Sequence, residues 1–186
     1  MEDDGMQKDA CRFLLNGNVS APGTSRLGAQ NGGHDMVRRM EERDAQAIRE
    51  LCENALGHDA QEDWIRQRIA ELSADPVYYL AVYEDEADHC VKGFVQAEAY
   101  HLLYGDNGWN IMALAVMKEA RRQGIGKRLV RSLEQHARTH GDRFVRLNSR
   151  MEREEAHAFY EHLGYVCDKI QKRFIRYLDQ PEGKEC

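Results

Sequence analysis

One segment near the middle of the chain, residues 109–129, limits the folds that this sequence can adopt. Trp109–Val116 is a mostly apolar run, typical of a central strand that is buried on both faces. A short polar loop with Gly124 and Gly126 follows, and one face of a helix is then marked by Ile125, Leu129, Val130, Leu133 and Ala137. A buried strand that leads through a glycine loop into an amphipathic helix predicts an α/β protein, in which helices cover a sheet.

The hydrophobic pattern elsewhere predicts one folded domain between two tails. Residues 1–35 are rich in Gly, Asn, Ser and Gln and lack apolar periodicity. Such a segment buries too little apolar area to offset its conformational entropy, so we expect a mostly disordered tail, either native or added for expression. Residues 36–180 are expected to form the domain, and residues 181–186 a short C-terminal tail.

Within the domain, periodicity and turn residues predict the element order β-α-α-β-β-β-α-β-α-β-β. The predicted strands are 35–40, 78–83, 91–100, 109–116, 144–148, 165–167 and 174–178. The predicted helices begin near Asp44, Trp64, Gly126 and Ala156 and end at Gly57, Asp75-Pro76, Gly141 and Gly164. This order predicts a mixed sheet with helices on its faces.

Composition excludes several classes of protein. The chain is 42% hydrophobic and 31% charged, and no apolar run is long enough to predict a membrane helix. Five scattered cysteines form neither a disulfide framework nor a zinc pattern, so no metal is expected. The acidic N-terminus without an apolar segment favours a cytoplasmic location. The net charge of -6 and the lack of a basic recognition helix outside the glycine loop argue against a DNA-binding regulator.

The glycine loop itself predicts a phosphate site. The N-terminus of a helix presents unpaired N–H groups and the positive end of the helix dipole. Gly124 and Gly126 allow a diphosphate to approach the backbone, and Arg121, Arg122 and Lys127 add positive charge. The spacing fits neither a Walker A sequence nor the dinucleotide-binding fingerprint.

Two motifs together resemble a known family. Arg121-x-x-Gly124-x-Gly126, with Val116 five residues before it, resembles motif A of the GCN5-related N-acetyltransferase (GNAT) family. Downstream, the segment 156–165, Ala-His-Ala-Phe-Tyr-Glu-His-Leu-Gly-Tyr, resembles the second signature of that family. The resemblance covers residues 36–178. It implies a GNAT fold of class α/β: a central mixed, mostly antiparallel sheet of six or seven strands, flanked by about four helices.

The resemblance also implies where acetyl-CoA binds. Strands 4 and 5 of that fold, here Ile111–Val116 and Phe144–Ser149, would splay apart, and the backbone of Leu114 and Val116 would hold the pantetheine arm. The pyrophosphate would be bound by amides of the loop residues Arg121, Arg122, Gln123, Gly124, Ile125, Gly126 and Lys127. Family members often pair through their closing strands, which implies a homodimer.

For catalysis, Tyr160 matches the family tyrosine that donates a proton to the departing thiolate; the alternative is a core aromatic residue. Histone acetyltransferases of this family carry a glutamate where this chain has Asn110, so Glu98 on the preceding strand is our candidate for the general base. Weaker candidates are His101, Asp106, Glu119 and ordered water. Arg153 replaces a family asparagine, and Asn148 could either contact the coenzyme or serve as a cap.

The resemblance therefore implies an acyltransferase that moves the acetyl group of acetyl-CoA to a primary amine by direct attack. Two segments expected near the acceptor, 57–64 and 101–109, combine carboxylates with aromatic residues. That combination favours a small cationic amine. The alternatives are a lysine or N-terminus of a protein, or a non-catalytic acyl-CoA sensor.

Overall fold

The computed structural model describes residues 36–178 and, before them, the backbone of residues 11–12. The tails predicted over 1–35 and 181–186 lie outside the described residues, apart from that pair. The strands of the described part are β1 (Cys11–Arg12), β2 (Val37–Arg39), β3 (Tyr78–Glu84), β4 (Val91–Tyr100), β5 (Gly108–Val116) and β6 (Phe144–Leu147). Its α-helices are α1 (Ala45–Leu51), α2 (Glu62–Ala74), α3 (Ile125–Thr139) and α4 (Glu154–His162).

These strands form one mixed sheet in the order β1-β5-β4-β3-β2, with β6 also paired to β5. The β5–β6 pair is parallel and the other pairs are antiparallel. Both β1 and β6 use the edge of β5 that faces away from β4: β6 pairs along Gly108–Ile111, and β1 pairs at Ala113 and Leu114. The predicted mixed, mostly antiparallel sheet with four helices is confirmed.

The helices cover the two faces of the sheet and create two hydrophobic cores. Helix α3 buries Leu129 and Leu133 in one core, together with Ile111 of β5 and Tyr160 of α4. The other core is built by buried residues of α1, α2, β3 and β4, among them Ile48, Ile65, Leu80, Val82 and Phe94. Because β5 contributes to both cores, its nearly continuous apolar sequence is explained.

The helix ends agree with the turn residues in the sequence. After α1 the chain continues through a π-helical turn, Cys52–Leu56, and stops at Gly57, whose φ is 70°. Asp44 precedes α1 as predicted, but its side chain accepts hydrogen bonds from the Glu41 amide at 2.8 Å and from Arg38 at 2.8 Å. Burial opposes ionisation of Asp44, yet these hydrogen bonds lower its pKa below the usual value.

The prediction of closing strands over 165–167 and 174–178 is wrong. Both segments are irregular, and large apolar side chains within them are exposed, including Val166, Phe174 and Leu178. Aromatic and β-branched residues suit a strand, but a strand also needs the backbone of a neighbour. In the described residues β6 has only β5 as a strand neighbour, so its outer edge stays open.

Candidate active site

A β-bulge in β5 separates it from β6. Ala97 of β4 pairs with Ile111, whereas the adjacent Gln96 pairs with Ala113, so Met112 is the extra residue. The β5–β6 ladder ends at the same place, with Ile111 opposite Leu147. Beyond Ile111 and Leu147 the two strands are no longer paired, which agrees with strands that splay apart at the predicted gap between Ile111–Val116 and the strand that follows α3.

The glycine loop lies at the wide end of this gap. Helix α3 begins at Ile125, directly after Gly124, whose φ of 82° lies in the left-handed region that favours glycine. Arg122 also has a positive φ, 63°. Since the first N–H groups of a helix lack intrahelical acceptors, Ile125, Gly126 and Lys127 present theirs at the loop. The loop therefore suits an anionic group such as a diphosphate.

The other predicted coenzyme residues surround this helix start. Arg121 Nε donates to the Val116 carbonyl at 3.4 Å, which ties the loop to the end of β5. Arg122, Gln123 and Lys127 are exposed, while the Ile125 side chain is buried and anchors the loop in the core. Leu114 is buried and Val116 is partly buried, in keeping with a role for their backbone rather than for their side chains.

Gly126 brings the two sequence motifs together. A Cβ atom at Gly126 would lie 3.2 Å from Cζ of Phe159, so the glycine allows α4 to pack closely on the first turn of α3. Phe159 in turn lies beside Tyr160, with the ring centroids 5.0 Å apart. The two motifs are separate in the sequence but in contact in the fold.

Tyr160 is packed as a core aromatic residue and also borders a cavity, so both interpretations stay open. Its side chain is 4% exposed and packs against the Tyr165 ring at 5.5 Å, as a core aromatic would. It also lines an open cavity of about 1410 Å³, together with Leu147 and Asn148 at the end of β6. The phenol of Tyr160 is therefore packed firmly and still borders a cavity.

A row of polar side chains crosses the face of the sheet that carries α1 and α2. Tyr78, Glu98, Asn110 and Arg146 are register neighbours on β3, β4, β5 and β6. Asn110 Nδ2 donates to Glu98 Oε1 at 3.2 Å. Partial burial raises the pKa of Glu98, and the Asn110 bond offsets this in part. Asn110 is 8% exposed, and its Oδ1 has no hydrogen-bond partner in the described part of the chain.

In this row Glu98 pairs with Asn110, one position before the last pair of the β5–β6 ladder, Ile111 and Leu147. The weaker base candidates His101, Asp106 and Glu119 are all exposed and lie outside the row. Asn148 Oδ1 accepts a hydrogen bond from Arg146 Nη2 at 2.9 Å. The Asn148 side chain is therefore engaged with β6 and does not cap a helix.

The two segments expected near the acceptor are largely exposed. In 57–64, Trp64 is 59% exposed, and Cζ of Arg68 lies 5.9 Å from its ring centroid. In 101–109, Leu103 and Tyr104 are exposed, whereas Trp109 is buried. Arg153, which replaces the family asparagine, is the residue that precedes α4.

Sequence reasoning missed the Met112 bulge, Tyr100 and Arg146. The bulge is hidden because Ile111–Val116 is apolar throughout. Arg146 lies between the apolar residues Val145 and Leu147 in a short strand. Because successive side chains of a strand point to opposite faces, this pattern could have shown that Arg146 faces away from the core of its neighbours.

Two further observations concern metals and membranes. No group of three or more His, Cys, Asp or Glu residues within the described ranges is arranged to hold a metal ion. None of the helices in those ranges is both long and apolar enough to span a bilayer.

Comparisons with known proteins agree with this geometry. The acetyltransferase (GNAT) family matches residues 36–165. An aminoalkylphosphonate N-acetyltransferase of Salmonella typhimurium is 30% identical over 118 residues, which cover 63% of this chain and 73% of that protein. The fold is similar to a transcriptional regulator from Bacillus halodurans (TM-score 0.67, 23% identity, covering 75% and 98% of the chains). It is also similar to glucosamine-6-phosphate N-acetyltransferase from Arabidopsis thaliana (TM-score 0.65, 21% identity, covering 77% and 97%). The chain therefore belongs to the GNAT acetyltransferase family and is an acyltransferase.

Proposed function

We propose that this protein transfers the acetyl group of acetyl-CoA to the primary amine of a small molecule by direct attack. Acetyl-CoA is the donor that acetyltransferases of this family use. The observation that carries the proposal is the fork between β5 and β6, with a helix N-terminus at its wide end and Glu98 beside its closed end. The thioester of acetyl-CoA and the acceptor amine can react there directly, without a covalent enzyme intermediate.

In this proposal the glycine loop binds the pyrophosphate through the amides of Arg121–Lys127. The backbone of Leu114 and Val116 is proposed to bind the pantetheine arm along the edge of β5 that faces away from β4, and Asn148 is proposed to contact the coenzyme through its side-chain amide. Because β1 pairs with β5 at Leu114, the pantetheine arm and β1 would use the same edge. Coenzyme binding would then require β1 to leave.

The chemical step divides between two side chains. An alkylammonium with a pKa near 10.4 is almost entirely protonated at neutral pH, so its proton must be removed before attack. Glu98 is proposed to accept that proton, directly or through water, because its raised pKa makes it a better base than an exposed carboxylate. Tyr160 is proposed to donate a proton to the departing thiolate as the tetrahedral intermediate collapses.

The acceptor is proposed to enter as an ammonium cation, held by Glu98. The acceptor named for the Salmonella relative, an aminoalkylphosphonate, carries such a group on a small molecule. A lysine or N-terminus of a protein is the alternative acceptor class, and a non-catalytic acyl-CoA sensor is the alternative function. Retention of Tyr160 beside the cavity favours chemistry over sensing.

The proposal is tested by measuring binding and turnover separately. Calorimetry with acetyl-CoA reports the coenzyme site, and the release of free thiol reports transfer to a panel of small amines, polyamines, aminoglycosides and lysine peptides. We expect both heat of binding and turnover with a small amine. Binding without turnover across the panel would instead indicate a sensor, and the absence of binding would refute the assignment of the loop.

We also propose a cytoplasmic homodimer that binds neither nucleic acid nor membrane. The exposed apolar side chains of residues 166–178 and the open edge of β6 support self-association. Light scattering on the purified full chain tests this directly, because a monomer at micromolar concentration would contradict it.

A further inference from the structure

Arg146 has a partly buried guanidinium that two contacts hold in place. Its Cζ lies 4.7 Å from the centre of the Tyr100 ring. Its Nη2 donates to Asn148 Oδ1 at 2.9 Å. An aromatic face and a neutral amide orient a guanidinium without cancelling its charge.

The aromatic support under Arg146 is itself fixed by packing. The rings of Tyr100 and Phe144 meet edge to face, 6.0 Å apart. A Cβ atom at Gly108 would lie only 2.5 Å from the Phe144 carbonyl oxygen and 2.6 Å from its ring. The missing side chain at Gly108 therefore allows this arrangement, which sets the position of Arg146.

Among the described residues no carboxylate forms an ion pair with Arg146, and its guanidinium is held by the Tyr100 ring and the Asn148 amide instead. A guanidinium carries five N–H donors, and the bond to Asn148 uses one of them. Arg146 also lines the open cavity, so its remaining donors can be reached. Their planar arrangement matches the oxygens of a carboxylate or a phosphonate.

The opposite charge lies in the same row. Glu98 and Arg146 are separated by two strand spacings, about 10 Å between their Cα atoms, and Asn110 lies between them. The unpartnered Oδ1 of Asn110 and the carboxylate of Glu98 can accept N–H bonds from an ammonium group. A short molecule with an amine at one end and an acid at the other matches both ends of the row.

From this arrangement we propose that Arg146 selects acceptors that carry an acidic group, so that the substrate is a small amino acid or aminoalkylphosphonate rather than a polycation. The proposal rests on the proposed function, because it assigns the acceptor of the same site. It also changes the expected acceptor from a net cationic amine, which the two acceptor segments favour, to a zwitterion. The cationic end of this zwitterion would lie at Glu98 and its anionic end at Arg146.

The test compares matched acceptors in the purified full chain with saturating acetyl-CoA. The acceptors are 2-aminoethylphosphonate, β-alanine and propylamine, and the variants are Arg146→Gln and the control Arg49→Gln. Arg49 is an α1 residue whose ion partner is Glu53, and it is not a member of the row. Both variants remove one positive charge, so a general effect of net charge would appear in both.

We expect the wild type to prefer at least one acid-bearing acceptor over propylamine by at least about tenfold in kcat/KM, as expected for loss of a charge-assisted contact. Arg146→Gln should abolish that preference while leaving propylamine turnover and the KM for acetyl-CoA nearly unchanged. Arg49→Gln should behave as the wild type. Equal use of all three acceptors by the wild type, or an equal loss with all three in Arg146→Gln, would overturn the proposal. The ratio between phosphonate and carboxylate identifies which acid fits better.

A second measurement separates this proposal from the proposed function. Ethylphosphonate has no amine, so its binding, followed by phosphorus NMR, does not depend on turnover. Binding to the wild type that is lost in Arg146→Gln supports the anion site even if no amine is acetylated. If the wild type does not bind ethylphosphonate and shows no preference for acid-bearing amines, the anion site is refuted although acetyl transfer itself can stand.

Discussion

His136 makes the folded protein sensitive to mild acid. Its ring on α3 is packed by Tyr79 at 4.7 Å, Trp109 at 4.9 Å and His140 at 4.2 Å between centroids. Burial, together with the neighbouring His140, lowers the pKa of His136 to about 4, although Asp142 acts in the opposite direction. In the unfolded chain the pKa returns to about 6.5.

The sign of the effect follows from proton binding. Between pH 6.5 and pH 4 the unfolded chain binds a proton at His136 and the folded chain does not, so stability falls as the pH falls. With pKa values of about 4 and 6.5, a change from pH 7 to pH 5 removes about 2 kcal/mol from the free energy of unfolding. Because His136 keeps some contact with water, this loss in the free energy of unfolding is an upper limit.

The assay is urea unfolding at pH 7 and pH 5 for the wild type and for His136→Phe, which keeps an aromatic ring and cannot titrate. Carboxylates with shifted pKa values, such as Glu98, contribute equally to both proteins. We expect the pH-dependent loss of stability to be smaller in His136→Phe by about 1 to 2 kcal/mol. Identical pH dependence in the two proteins would refute the reasoning.

Three further predictions concern the reaction. Tyr160→Phe should lower kcat at least about tenfold, with the KM for acetyl-CoA little changed. The control Tyr165→Phe, which loses a hydrogen bond to Glu134, should keep its turnover. Equal rates in the two variants would exclude Tyr160 as the acid. Because the pKa of Glu98 is raised, kcat/KM of the wild type should rise with pH along an acidic limb that lies above pH 4.5. This limb should be missing in Glu98→Gln. If it persists in that variant, the base is a different group. Deletion of residues 1–35 should tighten acetyl-CoA binding in calorimetry because β1 shares the β5 edge with the pantetheine arm; unchanged or weaker binding would contradict this.

The helices and the antiparallel strands were predictable because their information is local. α3 shows apolar residues at helical spacing, and Gly57, Gly124 and Gly164 mark ends where the backbone adopts positive φ. The glycine loop and Tyr160 could be located from their motifs, since each motif combines a backbone requirement with a chemical group. Sequence spacing was sufficient for these features.

Features that depend on partners were not predictable. The segment 174–178 has strand-forming residues, but nothing in its sequence tells whether a neighbouring backbone pairs with it. The role of Arg146 likewise depends on Tyr100 and Gly108, which lie more than 35 positions earlier in the chain. Such a constellation becomes visible only when the register of β4, β5 and β6 is known.

The Met112 bulge changes which face of the sheet the later residues of β5 occupy. Without it, the period of two along β5 would turn Ala113 to the α3 side with Ile111, and Leu114 to the opposite side. In the structure Leu114 packs in the α3 core and Ala115 in the α1–α2 core, so the extra residue reverses the alternation. The β6 ladder ends next to this bulge, and β1 pairs with β5 just beyond it, at Ala113 and Leu114. In the proposed reaction, residues before the bulge, such as Asn110, would lie near the acceptor, and those after it would lie near the coenzyme.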